Sequence, residues 1–134
     1  MTEIPRIQNS DIENRLLALP GQIATEERAA AECRASLEQL KQDAADAELN
    51  CIMGAEIDGK NEEARKIQRK QALAKCTDYQ TAVKAVVRKE DQATQHDIAA
   101  KELSRSFAAL CAIAELRASV YYSQTNKATK IQGS

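Results

Sequence analysis

In 134 residues the chain carries 24 alanines but one Phe, three Tyr, no Trp, four Gly and two Pro. Leu, Ile, Val and Phe together number 25. That is too little bulk for the thick core of a sandwich or a doubly wound α/β domain, and it leaves helices packed through small residues as the architecture. A formal net charge of −1 and the scarcity of Gly and Pro exclude a disordered polyelectrolyte.

The chain begins MTEIPRIQNSDIENR, with an acid at Glu3 and no apolar run, so no secretory signal peptide is expected. No stretch approaches the roughly 18 uninterrupted apolar residues of a membrane span, and the expectation is a cytoplasmic protein with no membrane partner. Cys33, Cys51, Cys76 and Cys111 form no CxxC pair, and His96 is the one histidine. No metal site and no cofactor are expected, and the four thiols read as small hydrophobes in a reducing compartment.

In chain order, a short N-terminal helix is predicted from about Asp11 to Leu19, followed by a kink at Pro20-Gly21. A long helix then runs to Met53, so that residues 9–53 form a first arm. Residues 54–60 are a connector. Asn61, followed by Glu62 and Glu63, has the acceptor and the acids of a helix start. Between Lys60 and Gln132 lie 73 residues with neither Gly nor Pro, which predicts a second arm over 61–124. Thr77 with Gln80 has capping-box spacing, so this arm is either one helix or two, about 61–76 and 78–124. The polar residues 125–134 read as a flexible tail. The whole is taken as a single all-α domain, 1–134.

Periodicity predicts how the arms pack. In the first arm Leu16, Ile23, Ala30, Leu37, Ala44 and Cys51 recur every seven residues, interleaved with Ile12, Leu19, Glu26, Cys33, Leu40 and Ala47. In the second, Tyr79, Val86, Ala93, Ala100, Phe107, Ala114 and Tyr121 form one series, and Ala82, Lys89, His96, Leu103, Leu110 and Arg117 the other. Two such seams joined by a short connector predict an antiparallel coiled-coil helical hairpin. A turn near Ile57 places Glu26 opposite Lys89 and His96 opposite Leu19. Charge agrees in sign: residues 26–48 hold seven acids and three bases, and 60–75 hold six bases and two acids.

At about 1.5 Å per residue the second arm outruns the first. The predicted overhang holds Phe107, Leu110, Ile113, Leu116, Val120, Tyr121 and Tyr122, a stripe that needs a cover. The candidates are a second copy of the chain, a partner protein, or residues 1–19 folded back over it.

Motifs for chemistry are few. Residues 54–61 match the phosphate loop GxxxxGK, but a helix precedes them, Asn61 stands where Ser or Thr should hold magnesium, and Glu56 and Asp58 would repel phosphate. Lys60, Arg65, Lys66, Arg69 and Lys70 are candidate nucleic-acid contacts of the weak, salt-sensitive kind, with no aromatic between them for base stacking. On a seam, His96 reads as a half-buried spacer. Two helices are expected to offer no pocket for a small molecule, and no catalytic residue is assigned.

Asp58-Gly-Lys-Asn-Glu-Glu-Ala-Arg65, Gln71-Ala-Leu-Ala-Lys-Cys-Thr-Asp-Tyr-Gln80 and Phe107-Ala-Ala-Leu110 together resemble small alanine-rich coiled-coil proteins of phage and prophage genomes. The resemblance covers about residues 55–116. Asp58-Gly59 and Lys75-Cys76-Thr77 stand where such proteins often carry prolines. It implies a phage context near recombination or replication genes and no stated activity. The expected function is a non-enzymatic, oligomeric adaptor or scaffold acting through protein–protein contacts. The alternatives are a nucleic-acid-associated accessory of recombination or replication, or an inhibitor of a host defence complex.

Overall fold

The computed structural model of the chain describes residues 9–132, with side chains through residue 126. The N-terminal MTEIPRIQ, Gly133 and Ser134 lie outside the described residues. All regular structure among them is helical: α1, Asn9–Met53; α2, Glu62–Lys75; and α3, Thr77–Gln132. Contacts gather these into two compact units. Unit 1 comes from the two ends of the chain, up to Glu27 and from Ile98, and unit 2 is Arg28–Asp97.

The predicted seam of the first arm is the inward face of α1. All twelve of its positions, from Ile12 to Cys51, are buried or half-buried, while the residues between them, Ala29 excepted, are exposed. A period of three and four is what places such residues on one stripe of a helix. On α3 every seam position from Tyr79 to Ala114 is likewise buried or half-buried, though neighbours such as Val83, Ala99 and Ile113 are half-buried too, and the seam ends there: Arg117 and Tyr121 are exposed.

Pro20 and Gly21 do not interrupt α1, so the expected separate N-terminal helix is instead part of one helix from Asn9 to Met53. Pro20 removes an N–H that would reach the Leu16 carbonyl, at a cost of about 3 kcal/mol in a helix interior. Packing on both sides outweighs it. Ile12 and Leu19 are buried against Leu110, with Leu16, Leu103, Phe107, Ile113 and Ala114 packed around them, and each buried Leu or Ile contributes roughly 1.5–3 kcal/mol. Pro20 and Gly21 themselves face outward, and the Thr25 hydroxyl donates to the Gly21 carbonyl at 2.9 Å.

The α1–α3 pairing differs from the predicted register. In unit 2 Arg34 forms an ion pair with Asp97, where a turn near Ile57 would place Thr81, and Cys51 is joined to Cys76 instead of facing Ala64. In unit 1 the Arg117 guanidinium donates to Asn9 Oδ1, where Ser106 was expected. Leu19 packs with Leu110. Glu26 lies in unit 1 and lines a groove with Leu103, whereas its predicted partner Lys89 falls in unit 2. The cause is α2. It belongs to the connection between the long helices and not to the second seam, so the effective turn lies later in the chain.

Of the two alternatives for the second arm, the structure has two helices. Asn61 caps α2 as predicted, its side chain accepting from the Ala64 N–H at 2.7 Å. The Thr77/Gln80 capping box does not form. Cys76 is the one non-helical residue of the junction, and the Gln80 side-chain amide turns back to donate to the Leu73 carbonyl at 3.2 Å. Within the predicted tail, α3 continues as far as Gln132.

Leu110→Ala should lower stability by about 2–4 kcal/mol, whereas Val87→Ala, at a position 58% exposed, should cost under about 0.5 kcal/mol; urea titrations followed by circular dichroism check both. A double-mutant cycle on Arg34 and Asp97 should return a coupling of about 0.2–1 kcal/mol that shrinks as salt is raised, as befits a pair this exposed.

Candidate functional site

The predicted C-terminal stripe divides into a covered part and an open part. Leu110 is 4% exposed and Phe107 and Ile113 are half-buried, because Ile12, Leu16 and Leu19 of α1 lie against them. These three therefore belong to the interior of unit 1 and not to a free surface. Leu116 is 65% exposed, Val120 49%, Tyr121 66% and Tyr122 67%. The division falls where Asn9, the first described residue of α1, meets Arg117.

The open part has a defined local geometry. Leu116 and Val120 stand four residues apart on α3, hence on one helix face. The Tyr121 and Tyr122 rings meet edge to face with centroids 6.1 Å apart, an arrangement that satisfies the ring quadrupoles while both rings stay open to solvent. Tyr121 continues the α3 seam by seven residues from Ala114. It borders an open groove of about 420 Å³ whose apolar lining is Ile12, Leu16, Ala114 and Ala118, with Asn9, Glu13 and Arg117 as its polar contributors. The groove lies open at the surface where the α3 seam ends. Among the described residues no group of His, Cys, Asp or Glu is placed to hold a metal ion. Nor is any helix long and apolar enough to cross a membrane.

The basic cluster lies in unit 2. Arg69 pairs with Glu62 at 2.7 Å and Arg65 with the same carboxylate at 3.6 Å. The Arg65 Nε also donates to the Asn61 carbonyl at 3.4 Å. Two of the five bases are thus already held by an acid of their own helix. Lys66 and Lys70 follow on an adjacent exposed face, and Lys60 sits in the connector.

In the GxxxxGK-like connector the Gly59 N–H, one of the groups that would face a phosphate, is taken up by the protein itself. The Gly59 N–H donates to Gln68 Oε1 at 2.9 Å, and the Gln68 amide donates to Asp58 Oδ1 at 2.8 Å. Gly59 is required by space and not by an unusual φ, since no glycine among the described residues has a positive φ. A Cβ there would stand 2.9 Å from the Arg65 backbone nitrogen and 3.0 Å from Ala64.

Two features escape the sequence reading. One is the Cys51–Cys76 disulfide, with Cα atoms 6.3 Å apart, within the usual range for such a bond; Cys33 and Cys111 are free. The expectation of four thiols is therefore corrected. A signal was present, since both cysteines stand at predicted helix ends, but a 25-residue separation carries no short-range motif. The other is the Arg34–Asp97 pair, which depends on a register that local pattern does not set.

Gly59→Ala should destabilise unit 2 by about 1–3 kcal/mol, as overpacking against backbone does, read as a lower denaturation midpoint with α2 melting earliest. Gly21→Ala, with nothing within 4 Å of its Cβ position, should be neutral or stabilising by about 1 kcal/mol.

No family model, curated protein or solved structure matches the chain.

Proposed function

We propose that the chain is a non-enzymatic adaptor or scaffold: an antiparallel coiled-coil hairpin whose α3 carries a contact surface for a second copy or for another protein. The observation behind this reading is the open stripe of Leu116, Val120, Tyr121 and Tyr122. Four large apolar or aromatic side chains in seven residues, beside an apolar groove, make the kind of patch that marks interaction sites. Tyrosine suits that role, offering wide apolar area with few rotatable bonds and a polar tip. The long helices supply a stiff support, and the alanine seam supports the coiled-coil assignment because small side chains let helices approach closely. The cytoplasm is the proposed location, the host's if the chain is phage-encoded as its resemblance implies.

A second reading, a nucleic-acid-associated accessory, draws on Lys60, Lys66 and Lys70, for which no ion pair is recorded among the described residues. It is the weaker reading because Arg65 and Arg69 already serve Glu62. An inhibitor of a host defence complex would use the same apolar surface toward a different partner.

Light scattering tests the favoured reading. The wild-type chain should scatter as a species heavier than the 14.7 kDa monomer, and Val120→Asp with Tyr121→Asp should return it to the monomer without loss of helical content. Should the wild type be strictly monomeric, and should pull-downs from the native host with wild type and double variant retain the same proteins, the stripe would not be the contact surface.

A further inference from the structure

Two grooves flank the α1 seam within unit 2, and they differ in charge. One is lined by Asp43, Asp46 and Asp78. Its two α1 acids are each held by a glutamine four residues earlier: the Gln39 amide donates to Asp43 at 2.9 Å and the Gln42 amide to Asp46 at 3.0 Å. Across the seam lies a second groove, of about 240 Å³, to which α1 contributes Lys41, Ala44, Ala45 and Glu48. From α3 it takes an apolar wall that includes Tyr79, Val83 and Val87, and Val87 is 58% exposed.

The charges of this second groove have a simple relation to each other. Lys41 and Glu48 are seven residues apart, within about 20° of two full helical turns, so they lie on one side of α1 and about 10.5 Å apart along its axis. The midpoint between them falls between Ala44 and Ala45. Among the described residues neither side chain belongs to an ion pair.

A second α1 laid antiparallel on the first, with a two-fold axis between Ala44 and Ala45, brings Lys41 of each copy level with Glu48 of the other. Both charges are then matched, twice over. A parallel two-fold pair would instead set lysine on lysine and glutamate on glutamate. Self-complementarity of this kind is what an isologous interface requires, because residue i meets j and j meets i. Alanines at the crossing allow a close approach, since the distance between helix axes follows the side chains at the contact. The wall of Tyr79, Val83 and Val87 would lose solvent beside the incoming helix. Asp43 and Asp46, which would repel a like copy, lie across the seam in the other groove.

We propose that this groove docks a second copy of the chain, as an antiparallel two-fold pair of α1 helices with Lys41 of each copy against Glu48 of the other. The surface belongs to unit 2, whereas the α3 stripe of the proposed function belongs to unit 1, and neither needs the other. It involves far fewer residues than the roughly 20–30 a side of a standard interface. The contact is therefore weak by itself, filled at high protein concentration and empty in dilute solution.

Nuclear magnetic resonance of the full chain tests the pairing. With Val120→Asp and Tyr121→Asp removing the stripe, the amide signals of residues 41–48 and 79–87 should shift as protein concentration is raised. Lys41→Glu and Glu48→Lys, both at exposed positions, should each weaken this association by about tenfold or more, because like charges then face each other across the contact. An equimolar mixture of the two variants should regain it, since one carries acids at both ends of the groove and the other bases at both. Raising salt should weaken the association of the mixture. Signals independent of concentration in the parent chain would overturn the proposal, as would single variants that associate as well as their parent. So would a mixture that associates no better than either variant alone. The stripe is absent throughout, so these outcomes are separate from the light scattering of the wild type. Should that background fold poorly, the same series with the stripe intact, read at residues 79–87, gives the answer.

Discussion

Close approach of α1 to α3 through small side chains is the constraint on which the rest depends. Ala30, Ala93 and Ala100 are among the six buried apolar residues described, and none of the large side chains is completely enclosed. Small residues give short helix–helix distances and many weak contacts, each worth little by itself. Larger apolar residues then matter where they cluster, and the main cluster is the Ile12, Leu19 and Leu110 group of unit 1. That group keeps α1 helical through a proline and determines which part of the aromatic-bearing α3 stripe is covered.

The inward face of each long helix was legible in the sequence because it is a local property. A residue such as Cys33 or Leu103 declares its side by the spacing of its neighbours, and no knowledge of the partner is needed. Pairing is different in kind. To place Asp97 beside Arg34 one must know how much chain the connection consumes, and that turns on whether 62–75 continues the second seam or belongs to the link. Its composition, rich in Lys, Arg, Gln and Ala, suits a helix in either case. Pro20 misleads for the opposite reason. It is a strong local signal, and burial on both sides of it is a stronger non-local one.

The candidate surface was legible in half. Leu116, Val120, Tyr121 and Tyr122 stand exposed, in keeping with length arithmetic that has α3 outlast its partner. Phe107, Leu110 and Ile113 were assigned to the same stripe by that arithmetic, and the shifted pairing brings α1 over them. One error in the position of the turn thus accounts for both the shifted pairing and the misplaced edge of the surface. The basic residues show a related effect. Their spacing marks a charged face, but only side-chain geometry shows Glu62 gathering two of them.

Sequence separation along the long helices carries a consequence for how the chain comes together. Arg34 and Asp97 of unit 2 are 63 residues apart, whereas Asn9 and Arg117 of unit 1 are separated by 108. Closing the longer loop from an open chain costs more entropy. Once the shorter one has closed, the remaining stretch is brief. By that measure the contacts within unit 2 are the cheaper to close, and those of unit 1 ask the chain to bring together segments from opposite ends of its sequence.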